Sequence, residues 1–467
     1  MTIWLIILGS IYITTLLSLA LYSKRRTKST NDFMMAGSNI GLVLGFMTFA
    51  ATLFSTFTLM GMPDFFRHHG IAAWIFLAVS DGGMVFLIVW FGYHLRKKVS
   101  EKGYQGLAGL LHKCYENKLA GYVYFLGAFV FLIPYVAIQI RGVSIFLNAI
   151  FPELLPSWIW ASFIVVIMLI YSEIGGLKGI MYADFMQGTI LLITVWLIAS
   201  NCVAYFGGIG EMFAQVEASN PALLSAPGPH GLFSVHFLVS SFLAILLIPV
   251  TQPQLTTRLV VMRNLTATHR MAVAVGFFAI MIILPTVAIG MYGAVRYPDA
   301  TTSDYLTQVL LFDQPMLIAS ITVIGLIAAA LSTSDSQIFA LGGEFRSILG
   351  GDEKKLMLQT RVAVVFFGLA ALVFSILSSD QLVLLARVSF AGTSLMAPMI
   401  IAAILSSRPP GLEVVILTAT GLLFFIGSLF GYLPQVLFGL RIEIFILISL
   451  ALLTSLSFIY HGKTAGA

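Results

Sequence analysis

The densest run of polar groups within an apolar stretch of this chain is Ala328-Ala329-Ala330-Leu331-Ser332-Thr333-Ser334-Asp335-Ser336-Gln337. On a helix, Ala329, Ser332, Thr333 and Ser336 share one face, and Asp335 lies at its edge. That face presents hydroxyl oxygens, a nearby carboxylate, and backbone carbonyls that small neighbours leave accessible. A set made only of oxygen suits a hard cation, because soft metals take Cys or His. Hydroxyls in apolar helices also bond back to their own carbonyls or join neighbouring helices. A run of six polar residues that includes an acid favours the ion.

The natural partner is the stretch Phe46-Met47-Thr48-Phe49-Ala50-Ala51-Thr52-Leu53-Phe54-Ser55-Thr56-Phe57-Thr58, which is rich in hydroxyls and β-branched residues and has no charge. Local unwinding there would present carbonyls to an ion, provided that protein or a water-lined cavity covers the break. Asp184 and Gln187 lie one turn apart just beyond Gly175-Gly176, where a carboxylate serves either a site or an interfacial cap. Pro253, in Thr251-Gln252-Pro253-Gln254, interrupts a helix and frees carbonyls. Arg141, in Gln139-Ile140-Arg141-Gly142, is the one cation of its apolar stretch. Its planar fork calls for a carboxylate, supplied by a substrate, by Asp81 or by another protein acid. Arg387 poses the same problem. His68 and His69 read as solvated residues of an outer loop. No HExxH, GxSxG, Walker or CxxC sequence is present, so the chain reads as no enzyme.

The surroundings of these groups are a membrane. Of the 467 residues, 59% are apolar and 10% charged, where soluble proteins carry about 25% charged residues; mean hydropathy is +0.98. So few charges cannot clothe a water-facing globule, which excludes a soluble enzyme, a secreted domain or a disordered chain. A crossing helix needs about 20 apolar residues. That rule gives thirteen segments: 3–22, 40–61, 71–93, 120–148, 157–173, 179–205, 233–252, 271–294, 315–341, 359–378, 382–406, 411–432 and 440–460. The first lacks a basic preface and a small-residue cleavage site, so it reads as a retained span.

An odd count puts the termini on opposite sides. Of the 25 Lys and Arg, all but five fall on one side, Arg258 among them. Arg67, Arg296 and Arg441 fall on the other, and Arg141 and Arg387 lie within spans. The positive-inside rule then places the N-terminus outside and the C-terminus in the cytoplasm, with the cell (inner) membrane as the expected location. The net charge of +5 reflects basic loops, not a nucleic-acid surface. Cys114 and Cys202 fall on opposite sides, so no disulfide is expected. Residues 105–115 alternate Leu with polar neighbours and suggest a short amphipathic helix lying on the cytoplasmic surface.

Gly175-Gly176-Leu177-Lys178-Gly179 with Asp184 and Gln187, Gln252-Pro253 with Arg258, and Ala329-Ala330-Leu331-Ser332-Thr333 with Asp335-Ser336-Gln337 together resemble the sodium/solute symporter family. The resemblance covers nearly the whole chain. It implies an all-α LeuT-type fold of two five-helix inverted repeats, with 1–30 an extra helix, 31–205 and 206–406 the repeats, and 407–467 two further helices. It implies a Na+ site made by the carbonyls of Ala51, Phe54 and Ala329 with the hydroxyls of Ser332 and Thr333. Some members hold a second sodium, whose ligands map to Asp184, Ser332, Asp335 and Ser336; Asp335 departs from the serine found there and suits a proton or an ion pair equally. Solute then binds at mid-membrane near Ser55, Thr58, Gln139, Arg141 and Gln252.

The function implied is sodium-coupled symport of a small organic solute, an amino acid or small carboxylate, by alternating access. The partners are that solute and the lipid bilayer, with no nucleic acid and no obligate protein partner. A proton-coupled symporter and a transporter-like solute sensor are the alternatives. The sensor is disfavoured because only seven residues follow Tyr460.

Overall fold

The computed structural model describes residues 1–152, 154–378 and 382–464. It is built almost wholly of helices, with one small hairpin pairing Val436–Leu437 with Leu440–Arg441. Ten helices among the described residues are long and apolar enough to cross a membrane. An eleventh crossing is formed by Leu42–Leu53 and Phe57–His69, which meet at 54°. Large apolar side chains such as Phe86, Phe277, Leu377 and Leu423 are exposed. That is ordinary where the solvent is lipid.

The expected thirteen segments approximate this arrangement. Segments 157–173 and 179–205 belong to one helical run, Ser157–Tyr205, of 49 residues. At 1.5 Å per residue the run is about 74 Å long, more than twice the roughly 30 Å of hydrocarbon. It is two helices meeting at Gly176, whose φ of +59° and ψ of −168° interrupt the helix. Segment 233–252 is Val235–Leu246 followed by Ile248–Thr251. Gln252 is extended (φ −97°, ψ 122°), and a further helix, Pro253–Val261, begins beyond it.

Gly176 is required at its corner. A Cβ there would lie 2.8 Å from the Phe33 carbonyl oxygen, and the left-handed backbone alone costs an L-residue about 1–2 kcal/mol. Gly176→Ala is expected to lower the midpoint of thermal unfolding in detergent. Gly210→Ala, which meets open space, leaves it unchanged.

The amphipathic segment forms the helix Leu107–Tyr115, but it is not laid on a membrane surface. Leu107, Ala108, Leu110 and Leu111 are buried in protein. The N–H groups of Leu107 and Ala108 donate to the Glu344 carboxylate at 2.9 and 2.6 Å, and that of Gly109 to Ser347 Oγ at 2.9 Å. The unpaired amides of a helix start are thus satisfied by an acid from another helix, and the alternating leucines face protein, not lipid. The receiving helix, Met316–Ile348, packs against Ser157–Tyr205 and Lys118–Ile150 and carries the polar run with which the sequence reading began.

Candidate functional site

The break between Leu53 and Phe57 is held open by side chains. A continuous helix would direct the N–H groups of Ser55, Thr56, Phe57 and Thr58 to the carbonyls of residues 51–54. Here Ser55 N–H donates to Thr58 Oγ1 (3.2 Å), Thr56 N–H to Gln139 Oε1 (3.0 Å), Phe57 N–H to Ser55 Oγ (3.1 Å) and Thr58 N–H to Ser55 O (2.8 Å). Phe54 is extended (φ −96°, ψ 125°), and the chain resumes as a π-helical turn, Phe57–Gly61. Four carbonyls are released, those of Ala51, Thr52 and Phe54 on buried residues, and a buried carbonyl is costly when unanswered.

Two of them are answered by the Met316–Ile348 helix. Ser332 Oγ lies 3.0 Å from Ala51 O and 3.0 Å from Ala329 O. Thr333 Oγ1 lies 3.5 Å from Ala51 O and 3.4 Å from Thr52 O. Ala51, Ala329, Ser332 and Thr333 therefore come together across more than 270 positions of sequence. Phe54 O is released by the same break but receives neither hydroxyl; Thr52 O stands there instead. All the donors are neutral oxygens, two of them hydroxyls free to turn their lone pairs outward. This fits a small monovalent hard cation in place of the hydroxyl hydrogens.

Beside this set lies a charged cluster that the sequence reading assembled only in part. Arg258, assigned above to a cytoplasmic loop, is one of the largest fully buried side chains. Its Nη2 donates to Asp184 Oδ2 at 2.8 Å and to Ser336 Oγ at 2.7 Å, its Nε to Thr48 Oγ1 at 2.9 Å, and its Nη1 to Gln254 O at 2.9 Å. Thr48 Oγ1 in turn donates to Asp184 Oδ2 at 2.5 Å, and Thr52 Oγ1 donates to Ser336 Oγ at 3.3 Å. Gln187 Nε2 donates to Tyr12 Oη at 2.8 Å. Asp335 is wholly buried, and neither carboxyl oxygen has a hydrogen-bond partner of standard geometry; Asp184 Oδ1 and Gln187 Oε1 are likewise unpartnered. Arg258 already pairs with Asp184, while among the described residues no cation pairs with Asp335. Thr48 had a visible signal, standing one turn before Thr52 in the hydroxyl-rich run. Arg258 stood out only as part of the motif with Gln252-Pro253, and its burial had no signal, because a basic residue after a helix break reads as a loop.

The residues named for solute binding divide by what they already hold. Ser55 and Thr58 cap the break, and Ser55 Oγ also meets Tyr135 Oη at 3.2 Å. Gln139 clamps it, since its Nε2 donates to Tyr135 O at 3.2 Å while its Oε1 accepts from Thr56. Gln252 Oε1 accepts from Gln254 Nε2 at 2.6 Å, and Gln252 Nε2 has no partner. Arg141 is half-buried and two residues past Gln139, so it faces a different side of their helix. Among the described residues Asp81 is not its ion-pair partner, and Arg141 has an interaction of its own. Tyr135, whose ring lies 4.9 Å from that of Phe390, was not singled out from the sequence.

Arg387 is a structural tie. Its Nη2 donates to the Glu443 carboxylate and to Ser240 Oγ (3.2 Å), its Nε to Ser241 Oγ (3.3 Å), and its guanidinium lies 5.0 Å from the Phe237 ring centre. Arg441 Nε joins Glu443 at 2.8 Å. His68 and His69 end the Met62–His69 helix, half-buried, and are not loop residues.

Residues 33–409 match the model of the sodium:solute symporter family. A sodium/pantothenate symporter of Haemophilus influenzae is 24% identical over 348 residues, covering 70% of this chain and 68% of that protein. Sodium/proline symporter 2 of Staphylococcus saprophyticus is 22% identical over 416 residues, covering 82% and 77%. Among solved structures, a Na+-coupled sialic acid symporter in a substrate-bound outward-open state superposes with a TM-score of 0.78 at 16% identity, over 96% of this chain and 94% of that one. The fold is thus the LeuT-type fold of such carriers.

Proposed function

Because the chain belongs to the sodium:solute symporter family, whose coupling ion is sodium, we propose that it takes up an amino acid or a small carboxylate with Na+ by alternating access. It is a multi-pass membrane protein; we place it in a bacterial inner membrane with the N-terminus outside, on the basic residues of its loops. Residues 31–205 and 206–406 act as the two rocking repeats. The observation that carries the reading is the meeting of Ala51 O and Thr52 O with the hydroxyls of Ser332 and Thr333 at an unwound helix.

Sodium takes the oxygens of Ala51, Phe54, Ala329, Ser332 and Thr333 and so joins the broken helix to the Met316–Ile348 helix. Joining them orders the break, and solute binds beside it, near Ser55, Thr58, Gln139, Arg141 and Gln252. Binding of either ligand lowers the cost of the other, and this coupling is reciprocal. Each inward charge contributes about 2.3 kcal/mol per 100 mV of membrane potential. A second cation, sodium or a proton, is drawn to the pocket of Asp184, Asp335 and Ser336, where the unpartnered Asp335 carboxyl favours one.

The test is uptake into proteoliposomes from a panel of radiolabelled amino acids and short carboxylates. Accumulation is expected with an inward sodium gradient. Accumulation driven only by an inward proton gradient, with sodium absent on both sides, would replace the sodium reading by the proton-coupled one.

A further inference from the structure

Three of the four N–H groups that leave the helix after Leu53 find acceptors inside the break itself, on Ser55 and Thr58. The fourth, that of Thr56, is held by another helix and donates to Gln139 Oε1 at 3.0 Å. In a continuous helix this N–H would go to the carbonyl four residues back, that of Thr52. Thr52 O is one of the two released carbonyls that face Thr333 Oγ1, at 3.4 Å. Gln139 therefore stands in for a carbonyl of the ion site from a position outside it.

The surroundings of Gln139 suit that task. Its Nε2 donates to Tyr135 O, one turn back in the helix Lys118–Ile150, at 3.2 Å. Turned over, the amide would set its NH2 against the Thr56 N–H and its oxygen against a carbonyl, so one orientation alone is satisfied. Gln139, Thr52 and Thr56 are all buried, so bulk water does not compete for the bond. One turn on, Gly142 lets the two segments close, since a Cβ there would lie 2.4 Å from Thr56 Cγ2 and 3.0 Å from Met60 Sδ.

We propose that Gln139 is a positioning residue of the sodium site: by taking the Thr56 N–H, it keeps the Thr52 carbonyl free to turn to the ion. Without that acceptor, the buried N–H is costly to leave unpaired. Its nearest course is back to Thr52 O, which rewinds the helix over an oxygen of the ion site. Sodium would then have to unwind the helix again before binding, and its affinity would fall by that cost. Gln139 thus sets sodium affinity without touching sodium, a role beyond its place near the solute, and the inference rests on the symport reading above.

The experiment titrates sodium chloride into the purified full chain in detergent, at constant ionic strength, and follows the thermal unfolding midpoint. Each variant is read against its own sodium-free midpoint, so a general loss of stability does not enter the comparison. Gln139→Leu, which offers Thr56 no acceptor, is expected to raise the sodium concentration for half-maximal stabilisation by about threefold or more, as for one lost hydrogen bond. Gln139→Glu keeps an oxygen for the Thr56 N–H and is expected to need no more sodium than the wild type. Gly142→Ala leaves the amide in place but pushes Thr56 away from it, and is expected to raise the requirement in the same direction. Where Gln139→Leu does not fold, Gly142→Ala decides the matter. An unchanged requirement in Gln139→Leu, or an equal rise in Gln139→Glu, would overturn the assignment. Absence of any sodium stabilisation in the wild type sinks the symport reading, whereas its presence with an unchanged Gln139→Leu sinks only the role of Gln139.

Discussion

Ser332→Ala and Thr333→Ala each raise the sodium concentration for half-maximal thermal stabilisation by about tenfold or more. A hydrogen-bonding partner of a charged group contributes about 1.5–3 kcal/mol, and 1.4 kcal/mol is a factor of ten in affinity. Each variant removes one hydroxyl from the ion and leaves the carbonyls of Ala51 and Thr52 in place. Without sodium, Ser332 Oγ reaches Ala51 O and Ala329 O, and Thr333 Oγ1 reaches Ala51 O and Thr52 O. Losing either donor leaves buried carbonyls unanswered and lowers the sodium-free midpoint as well, so sodium's effect is read against each variant's own sodium-free midpoint. Solute affinity, measured at saturating sodium, should also change far less than sodium affinity, because the lost group belongs to the proposed ion site and not to the proposed solute site. Ser334→Ala is the control, since its hydroxyl bonds back to Ala330 O of its own helix at 2.6 Å and reaches neither released carbonyl. Equal sodium dependence in all three variants would remove this face from the site.

The features that sequence disclosed here are those with local causes. Gly175-Gly176 marks a corner because only glycine tolerates the backbone at Gly176. Pro253 marks a helix start because it lacks an N–H. The face of Ser332 and Thr333 follows from the helical period alone. Its meeting with Ala51 was reached through resemblance, since nothing within a dozen residues of either segment dictates it. Arg258 shows what patterning misreads. Water is the default solvent for arginine, so the loop-charge rule assigned it to the cytoplasm, while its carboxylate stands 74 positions earlier in another helix. The leucines of residues 107–111 failed for the same reason, since a period reveals an apolar face but not whether lipid or protein covers it.

The buried pair itself gives the second large effect. Arg258→Met strands Asp184, and Asp184→Leu strands Arg258, each inside a pocket with almost no solvent contact. Removing one partner of a buried pair costs about 3–5 kcal/mol, whereas replacing both by apolar groups is often near neutral. Both single variants are thus expected to unfold at markedly lower temperature in detergent, and the double variant Arg258→Met/Asp184→Leu to regain most of the loss. The recovery is expected to be incomplete, since Thr48 Oγ1, Ser336 Oγ and the Gln254 carbonyl would still lose the guanidinium N–H groups from which they accept. Function should not return with stability. Arg258 reaches, from the segment after the second helix break, to Asp184 on one neighbouring helix and Ser336 on the next, and the double variant removes that three-way tie. A double variant as unstable as the sum of its parents would show that the two charges act independently, and that the ion pair does not join these helices.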